Sequence, residues 1–253
     1  TPVVFDCSDP GCVSADTEFL TPTGWKRIDQ YRVGDQVAQF HPESREIEFV
    51  EPLQYVKKPC AQMIHISPAR GMSQRLSPEH RVLYYTPDGA PGVCSAQEFL
   101  ESLHCKGANH SKRKFCTTFS VKGTTGIALD NEFLRVMVAV IADGHFSCSS
   151  NRCVIRLKKD RKIKRLHRLL AQAGIAYNVR VCGGRPDFTV FSFNAPRREK
   201  EFSAEWWTAT QHQLELIADE LPHWDSSTSS RPSKGIRFSS LVERSAEFAQ
   251  YAF

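Results

Sequence analysis

The chain has 253 residues, 41% of them hydrophobic and 24% charged, a balance that excludes a disordered segment and leaves room for one large or two ordinary domains. No apolar run approaches the ~20 residues that a membrane-spanning helix needs, so a membrane partner is not expected. Nine cysteines, odd in number and irregularly spaced, argue against a disulfide framework and for a reducing cytoplasm.

The first half predicts short strands at Thr17–Leu20, Val37–Phe40, Ile47–Val56, Ala61–Ile66 and Arg81–Tyr85. These runs are rich in β-branched and aromatic residues and are punctuated by turns such as Pro22-Thr23-Gly24 and Pro87-Asp88-Gly89. A short helix is expected over Ser95–Ser102. The polar, basic stretch Lys106–Thr125 reads as a boundary region.

Longer elements follow. An almost wholly apolar helix over Phe133–Ala142 ends at Asp143-Gly144, and a strand covers Val154–Lys158. The next helix starts at Asp160, with Ile163, Leu166, Leu169 and Leu170 as its apolar face and Gly174 as its stop. Strands are expected at Tyr177–Cys182 and Phe188–Phe193. Then the order returns: a helix from Gln211 to Trp224-Asp225, a strand over Gly235–Ser239 and a helix from Leu241. The steps Asp143 to Arg156 and Asp225 to Arg237 are each about twelve to thirteen residues, within loop-length scatter. Such an echo suggests a pseudo-symmetric domain. Its second copy reaches Phe253 before the strand pair that follows in the first, so the chain reads as cut short. Between Asn151 and Lys200 fourteen Lys/Arg stand against three acidic residues, a surplus suited to a phosphate backbone.

The segment CVSADTEFLTPTGWKRIDQYRVGDQVAQF, Cys12–Phe40, has a leading Cys, Asp-Thr, Thr-x-x-Gly-Trp and Val-Gly-Asp-x-Val. It resembles the opening block of inteins and related self-processing Hint domains. LSPEHRVLYY, Leu76–Tyr85, is similar to their second block, with Ser77 where the family has Thr and His80 at its His. The resemblance implies a β-rich splicing fold in which Cys12 attacks the carbonyl of Gly11 and converts an amide into a thioester without a cofactor. An amide is planar and resonance-stabilised, so His80 would protonate the departing nitrogen, and Ser77 would hydrogen-bond either the strained peptide or its oxyanion. Gly11 suits the place by accepting unusual backbone angles. Inteins finish with His-Asn before a Cys, Ser or Thr. SAEFAQYAF has no such ending, so a missing or separate C-terminal intein segment is expected as a partner, and residues 1–11 read as host (extein) sequence.

VMVAVIADGHF, Val136–Phe146, resembles the signature of LAGLIDADG homing endonucleases. ADELPHWDSS, Ala218–Ser227, resembles a degenerate second copy, with Ser226 for Gly and a Pro at position 222. RLKKDRKIKRLHRLLAQAGIAY looks like the block linking them in intein-borne members. The resemblance implies an α+β nuclease domain whose paired helix ends bring Asp143 and Asp225 together as catalytic ligands of Mg²⁺ for a double-strand cut. A carboxylate at a helix C-terminus is disfavoured by the macrodipole, which divalent cations would offset. Arg156, Lys158, Arg180 and Arg185 would contact double-stranded DNA, and Gly144 would close its helix with a positive φ.

The expected organisation is an extein remnant at 1–11, a β-rich Hint domain at 12–118 and a truncated LAGLIDADG domain at 119–253, in the cytoplasm of a microbial or phage-infected cell. Alternatives are an inert Hint scaffold with a DNA-binding but non-cleaving nuclease domain, or a Hint domain that only cleaves its flanks. His104, Cys105, His110 and Cys116 have irregular gaps for a zinc site and read as incidental, as do Cys148 and Cys153.

Overall fold

A computed structural model describes residues 11–67, 73–104, 113–116, 118–146, 150–183, 185–224, 226–228, 236–238 and 243–252. The chain is an α+β protein that divides into two compact units, Thr1–Lys122 and Gly123–Phe253.

The first unit is built from small sheets. In chain order its elements are β1 (Glu18–Thr21), β2 (Gly24–Arg27), β3 (Val37–His41), β4 (Glu46–Val50), β5 (Ile64–Ile66), β6 (Gln74–Leu76), β7 (Arg81–Tyr85), β8 (Pro91–Ser95), α1 (Ala96–His104) and β9 (Ser120–Val121). β1 and β2, β3 and β4, β5 and β6, and β7 and β8 pair antiparallel, while β9 runs parallel to β4. The stretch Ile47–Val56 is strand only as far as Val50, because Pro52 cannot donate to a ladder. Four strands not expected from the sequence, β2, β6, β8 and β9, are each paired with an expected one. Ile64, Ile66, Leu76, Val82, Ala96 and Phe99 form a buried core, with Val13, Cys94, Leu100 and Phe115 packed against it.

The second unit contains α2 (Asn131–Asp143), β10 (Gly144–Phe146), β11 (Arg152–Leu157), α3 (Asp160–Gln172), β12 (Tyr177–Cys182), β13 (Arg185–Asn194), α4 (Gln211–Glu220), β14 (Ser226–Thr228), β15 (Ile236–Phe238) and α5 (Glu243–Ala252). Four strands form an antiparallel sheet in the order β10-β11-β13-β12. The internal echo is present as two helix–hairpin–helix passages, α2-β10-β11-α3 and α4-β14-β15-α5.

Two helix ends in this unit depart from their expected form, and that of α3 keeps it. Gly174 closes α3 at φ +63°, and the amides of Gly174 and Ile175 return to the carbonyls of Ala171 and Leu170 at 3.1 and 2.9 Å. This is a Schellman ending. Gly144, by contrast, has φ −77° and is extended, so a positive φ is not why glycine stands there. A Cβ at Gly144 would lie 2.5 Å from the Val140 carbonyl oxygen and 2.9 Å from the Cys153 sulfur; the turn into β10 requires that missing volume. α4 ends at Glu220 and continues only as a 3-10 turn over Leu221–His223, since the ring of Pro222 clashes with a regular helical turn.

Gln213 caps the start of α4 and ties it to the segment that leads into α2. Its buried amide accepts from the Ile127 N–H at 2.8 Å and donates to the Ile127 carbonyl at 2.9 Å, while Thr210 and Gln213 form a capping box. Phe202, Trp206, Trp207, Phe248 and Tyr251 make a buried aromatic cluster with ring centroids 4.8–6.0 Å apart, which ties α5 to the 3-10 turn at Ala204–Thr208. Among the described residues no helix is long and apolar enough to cross a membrane.

Candidate functional site

In the first unit, Gly11, Cys12, Ser77 and His80 come together. β6 carries the β5 ladder on one edge and receives Val13 on the other through an antiparallel bridge to Leu76. The Ser14 N–H donates to the Arg75 carbonyl at 3.1 Å, and the Ser77 N–H donates to the Cys12 carbonyl at 2.9 Å. Val13 is anchored in the core described above, which fixes its neighbour Cys12 in register. The Cys12 N–H, the nitrogen of the Gly11–Cys12 peptide, donates to Ser77 Oγ at 2.9 Å. Ser77 is fully buried. Of the two roles open to it from sequence, this geometry is the contact with the peptide nitrogen.

His80 lies against Gly11 in the same peptide. Its N–H donates to the Ser77 carbonyl at 3.0 Å, so the Ser77-Pro78-Glu79-His80 turn returns the ring to Gly11. A Cβ placed on Gly11 would lie 2.8 Å from both His80 Cα and His80 Nδ1. The requirement for glycine that is visible here is therefore one of room. Nδ1 is buried and has no well-formed hydrogen bond among the described residues. Burial lowers the imidazole pKa from its ordinary value, opposed by the adjacent Gly11 backbone and by the Glu79 carboxylate. A ring held neutral near pH 7 can accept a proton and pass it on.

The second unit has two features of interest. The first is the outer face of its four-stranded sheet. Along β11 the buried residues Cys153, Ile155 and Leu157 alternate with exposed Arg152 and Arg156, and Lys158 follows on the exposed side. Across the sheet Arg156 is opposite Val190, and Val190 is opposite Arg180. Val190 is only 2% exposed, consistent with long arginine stems flanking it on each side. Arg152, not among the residues expected to contact DNA, lies on the same face and donates to Ser192 Oγ at 3.1 Å. Its signal was present: it lies two residues, one pleat period, from Val154 and four from Arg156. Lys158 pairs with Asp187 at 2.7 Å and sits near the ring of Phe188. The side chain of Arg185 lies outside the described structure.

The second feature is the end of α2. Asp143 is the last residue of that helix, and Lys162 Nζ lies 2.5 Å from its carboxylate. Lys200 Nζ donates to the carbonyls of Val140 and Ile141 at 2.8 and 2.6 Å. Next to Lys162, Arg161 donates to the His223 carbonyl at 2.7 Å, so consecutive residues of α3 touch the ends of both helical stretches. Asp225 lies outside the described residues. Magnesium demands several oxygen ligands in octahedral array, whereas the oxygens described here already receive two ammonium groups. With Asp225 outside the described residues, the oxygens described at Asp143 do not by themselves make up a Mg²⁺ site.

Glu220 is the hub of the same region. Its side chain is fully buried and accepts from Arg135 Nη1 at 3.1 Å, Arg165 Nε at 3.0 Å, Arg165 Nη2 and Trp224 Nε1 at 2.9 Å. The hydrogen bonds with Glu220 raise the Arg165 pKa further. Arg135 belongs to α2 and Arg165 to α3, so one carboxylate on α4 joins three helices. Of the zinc-like cysteines and histidines, Cys116 donates to the Thr118 carbonyl at 2.9 Å; Cys105, His110 and the side chain of His104 lie outside the described structure. Cys148 also lies outside it, and Cys153 is buried, its thiol pKa pushed up to about 11 by desolvation.

In comparisons with known proteins no family model matches this chain, and no curated protein matches it.

Proposed function

We propose that the first unit is a Hint-type self-processing domain that moves the acyl group of Gly11 from the Cys12 nitrogen to the Cys12 sulfur, the opening step of protein splicing. The observation that carries this reading is the hydrogen bond from the Gly11–Cys12 amide nitrogen to buried Ser77, with His80 packed against Gly11. In this step the C–S bond forms, the C–N bond breaks, and the thiol proton ends on the new amine. Neutral His80 accepts the proton from sulfur and returns it to nitrogen. Ser77 Oγ, already an acceptor at that nitrogen, stabilises the positive charge that develops as it is protonated. Cytoplasmic, reducing conditions suit the step, because Cys12 must be a thiol.

The test is a reporter fused ahead of Thr1 and treated with excess thiol. The reporter is released from the parent chain, and Cys12→Ala abolishes release. Release that survives Cys12→Ala removes the assignment.

For the second unit the observations favour double-stranded DNA binding on a LAGLIDADG-like scaffold over Mg²⁺-dependent cutting. Arg152, Arg156 and Arg180 share one exposed sheet face, while Asp143 is engaged by Lys162. Phosphate contacts make affinity salt-dependent, each lost contact reducing the log–log slope by about 1. The Arg156→Ala/Arg180→Ala double variant is expected to bind duplex DNA more weakly, with a slope lower by about 2, in an anisotropy titration across salt concentrations. An unchanged slope removes this face from the interface. A magnesium-dependent double-strand cut by the parent chain restores the endonuclease reading.

A further inference from the structure

The contacts of Lys162 reach beyond the general reading of the second unit. Lys162 is the third residue of α3, near a helix N-terminus, where the macrodipole disfavours a cation. Asp143 is the last residue of α2, where the macrodipole disfavours an anion. Each charge is badly sited in its own helix and well sited against the other. Their side chains are 11% and 20% exposed, so water screens the pair less than it would at the surface. The ammonium also lies 5.8 Å from the Trp224 ring centroid, within cation–π reach. Carboxylate and indole together make a built seat for a cation, and the protein fills it itself. Lys200 occupies the neighbouring α2 carbonyls.

We propose that Lys162 is the resident cation of Asp143, so that the end of α2 is charge-balanced by the protein and Asp143 accepts a divalent cation only when Lys162 is removed. This inference rests on the reading of the second unit as a DNA-binding, nuclease-like scaffold. It identifies the cation as an amine and makes DNA binding independent of divalent metal.

The experiment uses Mn²⁺ as the probe, its free ion followed by electron paramagnetic resonance, with the full chain as parent, Asp143→Asn, Lys162→Met and the Lys162→Met/Asp143→Asn double variant. The expected result is that parent and Asp143→Asn give superimposable titrations. Lys162→Met gains a site at least tenfold tighter than any in the parent, and the double variant loses it. Mn²⁺ binding by the parent that Asp143→Asn abolishes overturns the proposal, as does a folded Lys162→Met chain, judged by circular dichroism, that gains no site. If Lys162→Met does not fold, the parent against Asp143→Asn comparison decides alone. Duplex binding in excess chelator is measured separately. Its loss, with the Mn²⁺ pattern as expected, defeats the DNA-binding reading and leaves the Lys162 assignment standing.

Discussion

Around Gly11–Cys12 a buried imidazole nitrogen of His80 has no well-formed partner among the described residues, and the peptide nitrogen donates to a neutral serine hydroxyl. At the ends of α2 and α4 each described buried charge is met: Glu220 by two arginines and an indole, Asp143 by Lys162. Leaving a buried polar group unpaired costs about 1–3 kcal/mol, and such a cost persists where chemistry uses the group. A saturated network rigidifies and specifies an arrangement of helices. The difference separates the two units by how their polar groups are used: the first leaves a buried imidazole nitrogen available, as the proposed acyl shift requires, and the second pairs its described charges with one another.

The comparison breaks most visibly at Glu220. Glu220→Ala leaves Arg135 and Arg165 without their buried counter-charge, and the second unit is expected to lose about 3–5 kcal/mol of stability. Urea unfolding followed through tryptophan fluorescence measures this, since Trp206, Trp207 and Trp224 are all buried there. Asp219→Asn is the matched control, because that side chain is 77% exposed and 3.6 Å from Arg135; it is expected to change stability by less than ~0.5 kcal/mol. Equal effects of the two variants would dismiss Glu220 as a hub.

A second break falls on the reactive side. Gly11→Ala puts a Cβ 2.8 Å from the His80 Cα, a backbone atom that yields only if the turn moves. A displacement of that order is expected to slow thiol-induced cleavage by roughly tenfold to a hundredfold, with urea midpoints unchanged. Cleavage at the parent rate would mean that the close approach is unnecessary.

The smallest effect is a pH dependence. Burial lowers the folded-state pKa of His80 from the ordinary 6.5. The unfolded state therefore takes up its proton first, and the stability tied to neutral His80 is fully present above pH 6.5 and lost as pH falls through the folded value. Nuclear magnetic resonance titration should find the His80 midpoint below that of an ordinary histidine, and the urea midpoint of the first unit should drop between pH 7 and about 5. A midpoint at or above the ordinary value would refute the buried, neutral ring.

How much of this was legible beforehand depended on whether a segment carries its own signal. Arg81–Tyr85 and Tyr177–Cys182 are strands with the expected bounds, because β-branched and aromatic residues fit a pleated surface. α3 likewise begins at Asp160 and closes at Gly174. Gln74–Leu76 and Pro91–Ser95 carry no strand signal of their own. The first is short and half polar and the second opens on Pro-Gly, and both are strands because a neighbour pairs with them. That loss mattered, since β6 is what presents Ser77 to Cys12. Cys12, Ser77 and His80 were each named from motif, but that Ser77 meets the amide nitrogen is a distance between residues 65 positions apart. The pairing of Lys162 with Asp143 and the four hydrogen bonds to Glu220 were hidden for the same reason. Periodicity reports which face is buried, not which charge on one helix meets which on another.

The most direct test of the central claim is to treat the full chain with hydroxylamine near neutral pH and locate the broken bond by mass spectrometry. The expected product is a hydroxamate on Gly11 together with a fragment beginning at Cys12, since hydroxylamine traps a thioester and spares ordinary amides. An intact chain, or a modified residue anywhere other than Gly11, would contradict the account.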